Sequence, residues 1–142
     1  MMEVSRLKRY KEKLNLIEKR LEEIIEWKGS FLSDEKSKLA SYKAFQEIVE
    51  ASMDVVAMMI KDDNLIPKDD YLNIDMAEEK KLLTSELCVS LRNMNGLRNR
   101  IIHEYNGLSD EIALESMENL FQEVTNFMEQ AEKWLGKKNS KN

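Results

Sequence analysis

The sequence is poor in the residues that staple, kink or ligate. Its 142 residues include one cysteine, one histidine, one proline and four glycines. Cys88 has no partner for an intramolecular disulfide, and with the lone His103 it cannot complete a structural zinc site within one chain. It reads as a small buried hydrophobe. So little glycine and proline argues against collagen, low-complexity linkers and turn-rich β-sandwiches. No apolar run approaches the roughly 18 residues of a membrane span, and residues 1 to 10 alternate charge with apolar side chains instead of forming a secretory h-region. The expected location is the cytoplasm. Positive charge is not in excess either: 22 Lys and Arg against 27 Asp and Glu leave a net charge of −5. That balance argues against coating nucleic acid or membrane by bulk electrostatics, while local basic sites remain allowed.

Charged residues make up 35% of the chain and hydrophobic ones 42%, the mixture of a soluble helical domain. A chain of this length buries about two-thirds of its unfolded surface, enough for a core without staples. From Val4 to Trp27 the apolar positions Leu7, Tyr10, Leu14, Ile17, Leu21 and Ile24 alternate spacings of three and four, a heptad seam that predicts one long helix. The seam exceeds what a monomer core needs, which favours a dimer. Gly29-Ser30 ends this helix, and Ser33-Asp34-Glu35 opens a second one running to about Asp62.

Asp62 to Asp75 contains the only proline, Pro67, and reads as a loop or broken helix. Asp75 with Glu78 resembles a capping box that opens a short helix ending near Leu83. Thr84-Ser85 caps a helix from Glu86 to Tyr105, with Asn106-Gly107 as its left-handed stop. Ser109 or Asp110 caps the last helix, through Trp134. No internal repeat or linker is visible, so the expected architecture is all-α: an up-and-down bundle of four long helices plus a short one. The domain spans residues 1 to 136, followed at 137 to 142 by a basic tail carrying Lys137, Lys138 and Lys141, expected to be disordered. The 9 methionines read as adaptable core filler or, more sharply, as an interaction face.

Charge is unevenly placed. Residues 109 to 135 hold seven acids and one base, Lys133, so this helix is not expected to touch phosphate. Arg6, Lys8, Arg9, Lys11 and Lys13 crowd the start of the first helix and read as a solvated face. Arg92, Arg98 and Arg100 lie beside His103.

The chemistry concentrates in Leu97 to Asn106, which holds the only histidine, two arginines, two asparagines and a tyrosine. At 100° per residue Asn99 and His103 share a stripe, whereas Arg98 and Tyr105 share another roughly 140–160° away. Metal-independent cleavage of a phosphodiester needs a group titrating near neutrality and cations or amides that hold the phosphate. One straight helix does not aim Arg98 and His103 together, so either the Arg98 side chain wraps around or a second copy supplies the missing groups across a twofold axis. A bland reading stays open: His103 favoured by the helix dipole, and the arginines paired with Glu104 and Glu86.

Arg98-Asn99-x-Ile101-Ile102-His103-Glu104-Tyr105 resembles the signature of the HepT toxins of the HEPN superfamily, in which an arginine is followed a few residues later by a histidine. Leu91 to Leu97, the spacing of Tyr42 and Asp54, and the Pro67 to Tyr71 loop are similar to the same family, so the likeness covers roughly residues 40 to 130. The resemblance implies a homodimeric HEPN-like bundle with its motif helices facing across a cleft. It implies the toxin of a type VII-like toxin–antitoxin pair, acting as a metal-independent RNA endonuclease without cofactors. Arg98 would stabilise the scissile phosphate, His103 would act as general acid or base, and Asn99 would hold the geometry. Tyr105 would accept adenylyl groups from a minimal nucleotidyltransferase antitoxin, placing charge and bulk at the cleft mouth. Arg100 adds a base where the motif is open and, with Arg92, is a candidate RNA contact; the overall acidity implies a small focal RNA patch. Two alternatives stand: a non-catalytic helical partner or substrate-binding subunit of such a nucleotidyltransferase, and a plain helical oligomerisation module.

Overall fold

A computed structural model describes residues 2–140, without the side chain of Tyr105. The described residues form five α-helices and no strand: α1 Val4–Trp27, α2 Glu35–Asp62, α3 Asp70–Glu79, α4 Ser85–His103 and α5 Asp110–Ser140. Two 3-10 turns, Lys28–Ser30 and Tyr105–Gly107, follow α1 and α4. Four helices are long and one is short, as the apolar periodicity predicts. None of the described helices is long and apolar enough to cross a membrane.

The seam of α1 is used inside the chain. Tyr10, Leu14, Ile17, Leu21 and Ile24 are all buried, in a helix that packs on α2 and α5. Full burial of an Ile or Leu contributes about 1.5–3 kcal/mol, so this stripe is accounted for by the core and is no longer an argument for a dimer. α2 is the central helix, touched by each of the other four. Near its C-terminal end Val55, Val56, Met58, Met59 and Ile60 are buried on nearly every side, because neighbours surround it there. Met53, Met58, Met59, Met94 and Met117 lie in the core, which makes these methionines packing groups and not an interaction face. Cys88 is also buried, and desolvation pushes its thiol up to about 11.

The helix starts follow local chemistry. Asp34 caps α2 by accepting from the Ser37 hydroxyl at 2.8 Å and amide at 3.2 Å, which holds its carboxyl below the usual range. Thr84 caps α4 through the Leu87 amide. Ser109 accepts from the Ile112 amide at the start of α5.

Several boundaries differ from those the sequence predicts, among them the end of α3, at Glu79 instead of near Leu83. α3 starts at Asp70, not Asp75, because the Asp69 carboxylate takes the Leu72 amide at 2.9 Å. The Asn73 side chain meanwhile closes the loop after Pro67 through both polar groups of the Lys68 backbone. Asp75 and Glu78 instead face Arg92 of α4. Secondly, α4 stops at His103, and no glycine among the described residues has a positive φ. The Gly107 stop is therefore not left-handed; the left-handed residues are Asn64 (φ 64°), after α2, and Lys81 (φ 57°), after α3. Finally, α5 continues to Ser140, so Lys137 and Lys138 are helical and do not form a loose tail. Its end is tied down by Lys138 to Asp63 at 3.5 Å and by the Met2 amide to Asn139 at 3.3 Å. Lys141 and Asn142 lie outside the described residues.

Candidate active site

The buried stripe of α4 is Cys88, Leu91, Met94, Asn95, Leu97 and Ile101. Arg98 sits at its edge, facing α2 and α3. Its guanidinium donates Nη1 to Glu50 at 3.3 Å, and Nη2 to Asp70 at 3.4 Å and to Asn95 Oδ1 at 3.1 Å. The side chain is only 16% exposed, and its Nε–H is buried without an acceptor among the described residues. Arg98 is thus a fixed cation in a socket built by three helices. Burial lifts the Asp70 carboxyl above its ordinary range; Arg98 opposes the rise, and Asp54 and Asp69 add to it. Desolvation outweighs the ion pair here.

His103 is the last residue of α4 and is exposed. Asn99, one turn earlier, is half-buried, and Arg100 is exposed with a long 3.6 Å contact to Glu104. Because α4 stays helical from Arg98 to His103, five steps turn the two side-chain directions about 140° apart. One chain brings Asn99, Arg100 and His103 toward one surface and leaves Arg98 on another. Tyr105 opens the 3-10 turn Tyr105–Gly107 instead of ending α4, because the backbone leaves helical values at Glu104 (φ −125°, ψ 23°). Arg92 is engaged by α3, donating to Asp75 at 2.8 Å and Glu78 at 2.6 Å, and not by Glu86. This contact holds the Glu78 carboxyl below the usual range. Between Arg92 and Arg100 a groove of about 380 Å³ runs between α4 and α5, with Asn93, Ser116 and Asn119 along it.

The family model described as "Ribonuclease HepT-like" matches residues 7–131. The chain belongs to the HepT-like ribonuclease family, within the HEPN superfamily. An Archaeoglobus fulgidus protein described as a candidate RNase is 35% identical over 134 residues, covering 92% of this chain and 99% of the relative. A Methanocaldococcus jannaschii protein similarly described is 39% identical over 80 residues, 56% of this chain and 87% of that one. Among solved structures, a tri-AMPylated Shewanella oneidensis HEPN toxin in complex with an MNT antitoxin superposes with a TM-score of 0.80 at 20% identity, covering 87% of this chain and 96% of that chain.

In this HepT-like chain the Arg98 socket as a whole is not legible in the sequence. Asn95 left a legible trace: an amide in the otherwise apolar stripe of Cys88, Leu91 and Met94, three residues before Arg98. Glu50 and Asp70 left none, since they reach Arg98 across 48 and 28 positions of chain.

Proposed function

We propose that this protein is a metal-independent endoribonuclease, the toxin of a type VII-like pair whose antitoxin is a minimal nucleotidyltransferase. The carrying observation is the split of the motif within a HepT-like chain: the sole histidine is exposed at the end of α4, while the best-held arginine points about 140° away. Two copies related by a twofold axis would combine the His103 surface of one with the Arg98 socket of the other.

In this reading RNA binds with the scissile phosphate against Arg98, and Arg100 and the α4–α5 groove hold the flanking strand. His103 takes the proton from the attacking hydroxyl or gives one to the leaving oxygen, and Asn99 holds the geometry of the site. Arg98 offsets the negative charge that grows on the phosphoryl oxygens. Tyr105, two residues beyond His103, accepts the adenylyl group. Its hydroxyl oxygen attacks the α-phosphorus of ATP, pyrophosphate leaves, and the hydroxyl proton passes to solvent or to the nucleotidyltransferase.

One observation favours the alternative, a non-catalytic helical partner of the nucleotidyltransferase: Arg98 is already engaged by two carboxylates. The decisive experiment is incubation of the purified protein with RNA in excess chelator, after intact-mass measurement has established that it carries no adenylate. Cleavage that falls about 10²–10⁴-fold in His103→Ala supports the ribonuclease. Binding to the nucleotidyltransferase with no cleavage supports the partner. Light scattering that finds only monomer at assay concentration would overturn the composite site.

A further inference from the structure

At the end of α4 opposite His103, the turn after α3 and the last turns of α5 border an open concavity of about 640 Å³, lined in part by Lys81, Lys133, Lys137, Leu82 and Trp134. The 19 residues of α4 separate this cavity from His103 by about 27 Å at 1.5 Å per residue. It is not part of the candidate active site.

The charge here is anomalous for the molecule. The net charge is −5, and α5 is strongly acidic up to Glu132. Yet three exposed lysines converge on one concave surface, two of them from that same helix. Lys13, Lys28, Lys38 and Lys138 each have a carboxylate within 4.0 Å. Lys81, Lys133 and Lys137 have no such partner among the described residues. The acid that does line the cavity, Glu78, is held by Arg92 at 2.6 Å. Three ammonium groups lining one concavity, each without an ion pair within 4.0 Å among the described residues, draw an anion.

The walls are tied together by hydrogen bonds and partly apolar. Gln130 locks α5 to the cap of α4, accepting from the Thr84 amide at 3.1 Å and donating to its hydroxyl at 3.0 Å. Trp134 is half-buried, set against Tyr10 with ring centroids 6.2 Å apart and with the Lys138 ammonium 5.9 Å from its centroid, and beside it Leu82 is partly buried. A clustered cation site beside an aromatic wall is the arrangement that holds phosphate and base together. The volume lies within the range of sites that enclose small ligands.

We propose that this cavity binds a nucleotide, its phosphate among Lys81, Lys133 and Lys137 and its base against Trp134 and Leu82. The nucleotide is either free or one unit of an RNA strand. At this end, where its charge reverses, the acidic last helix meets phosphate. The site stands whether or not the protein cleaves RNA.

The test uses the full chain carrying Trp27→Phe, so that Trp134 is the only tryptophan, and His103→Ala, so that RNA survives. Fluorescence is titrated with AMP, ATP and a short oligoadenylate without divalent metal. The expected result is saturable quenching that weakens at least about tenfold in Lys81→Asn/Lys133→Ala/Lys137→Ala. The salt slope for the oligonucleotide should fall by about 0.7 for each phosphate the variant no longer neutralises. Asparagine tolerates the left-handed backbone of Lys81, and alanine suits the exposed helix positions, so the fold should persist and circular dichroism should show it. Equal affinity per site for AMP and oligoadenylate assigns a free nucleotide, and much tighter oligoadenylate binding assigns an RNA strand. Absence of saturable quenching by all three probes, or undiminished binding by the folded triple variant, would overturn the proposal.

Discussion

Arg98 of α4 and Glu50 of α2 lie 48 positions apart and meet at 3.3 Å, with Asp70 closing on the same guanidinium at 3.4 Å. The clamp fixes the one buried-edge arginine of the motif, and it sets two negative charges against one positive. A phosphate that reaches Arg98 must share it with these acids. The arginine is therefore part of the fold as well as a candidate for chemistry, which changes what its removal should do.

Arg98→Ala should destabilise the fold by about 1–2 kcal/mol, because it leaves Glu50 and Asp70 facing each other without their cation while both remain partly solvated. Adding Glu50→Gln should restore part of that loss and none of the RNA cleavage. Urea denaturation of the single and double variants measures the first effect. A single variant as stable as the parent would mean that the clamp contributes nothing.

Asp70 makes the pH dependence specific. Its carboxyl is raised by burial, so the folded state holds its proton more tightly than the unfolded state does. The stability it confers is present below the ordinary carboxylate range and is lost as pH rises through the raised value. Relative to Asp70→Asn, the parent should lose stability across mildly acidic pH toward neutrality. Parallel melts from about pH 3 to 7 check the sign, and an opposite trend would show that the Arg98 attraction dominates.

Tyr105→Phe keeps the ring and removes the nucleophile. RNA cleavage should survive nearly unchanged, whereas neutralisation by the nucleotidyltransferase should fail. Peptide mass spectrometry after incubation with ATP, Mg²⁺ and that partner should find adenylate on Tyr105 of the parent. Adenylate mapped elsewhere would refute the assignment.

Tyr10 supplies a purely structural contrast. It is buried, and its hydroxyl donates to Asp62 at 2.6 Å, joining the start of α1 to the end of α2; burial and that carboxylate raise its ionisation far above the ordinary range. Asp62 also accepts from Arg6 at 2.9 Å, so Tyr10→Phe leaves the carboxylate with a partner. The expected cost is about 1–2 kcal/mol with no change in RNA cleavage. Denaturant titration beside an activity assay tests both halves.

Local periodicity carries the helices of this protein. The seam of α1, the Asp34 and Thr84 caps and the apolar stripes specify the four long helices from sequence, since side chains three and four apart read out helical faces directly. The motif in α4 carries the resemblance to the HepT toxins, and its angular spacing already separates Arg98 from His103. The start of α3 is not legible, because Asp69 and Asp75 are both competent caps and the choice rests on Asn73 closing the preceding loop. Nor are the partners of the cations. Glu50 and Asp70 reach Arg98, Asp75 and Glu78 reach Arg92, and Lys81 joins Lys133 and Lys137 only after three helices have packed. Coulomb energy depends on distance through space, and a one-dimensional pattern holds no record of distances between helices; which charges are neutralised and which are left to face a ligand follows from how the helices pack.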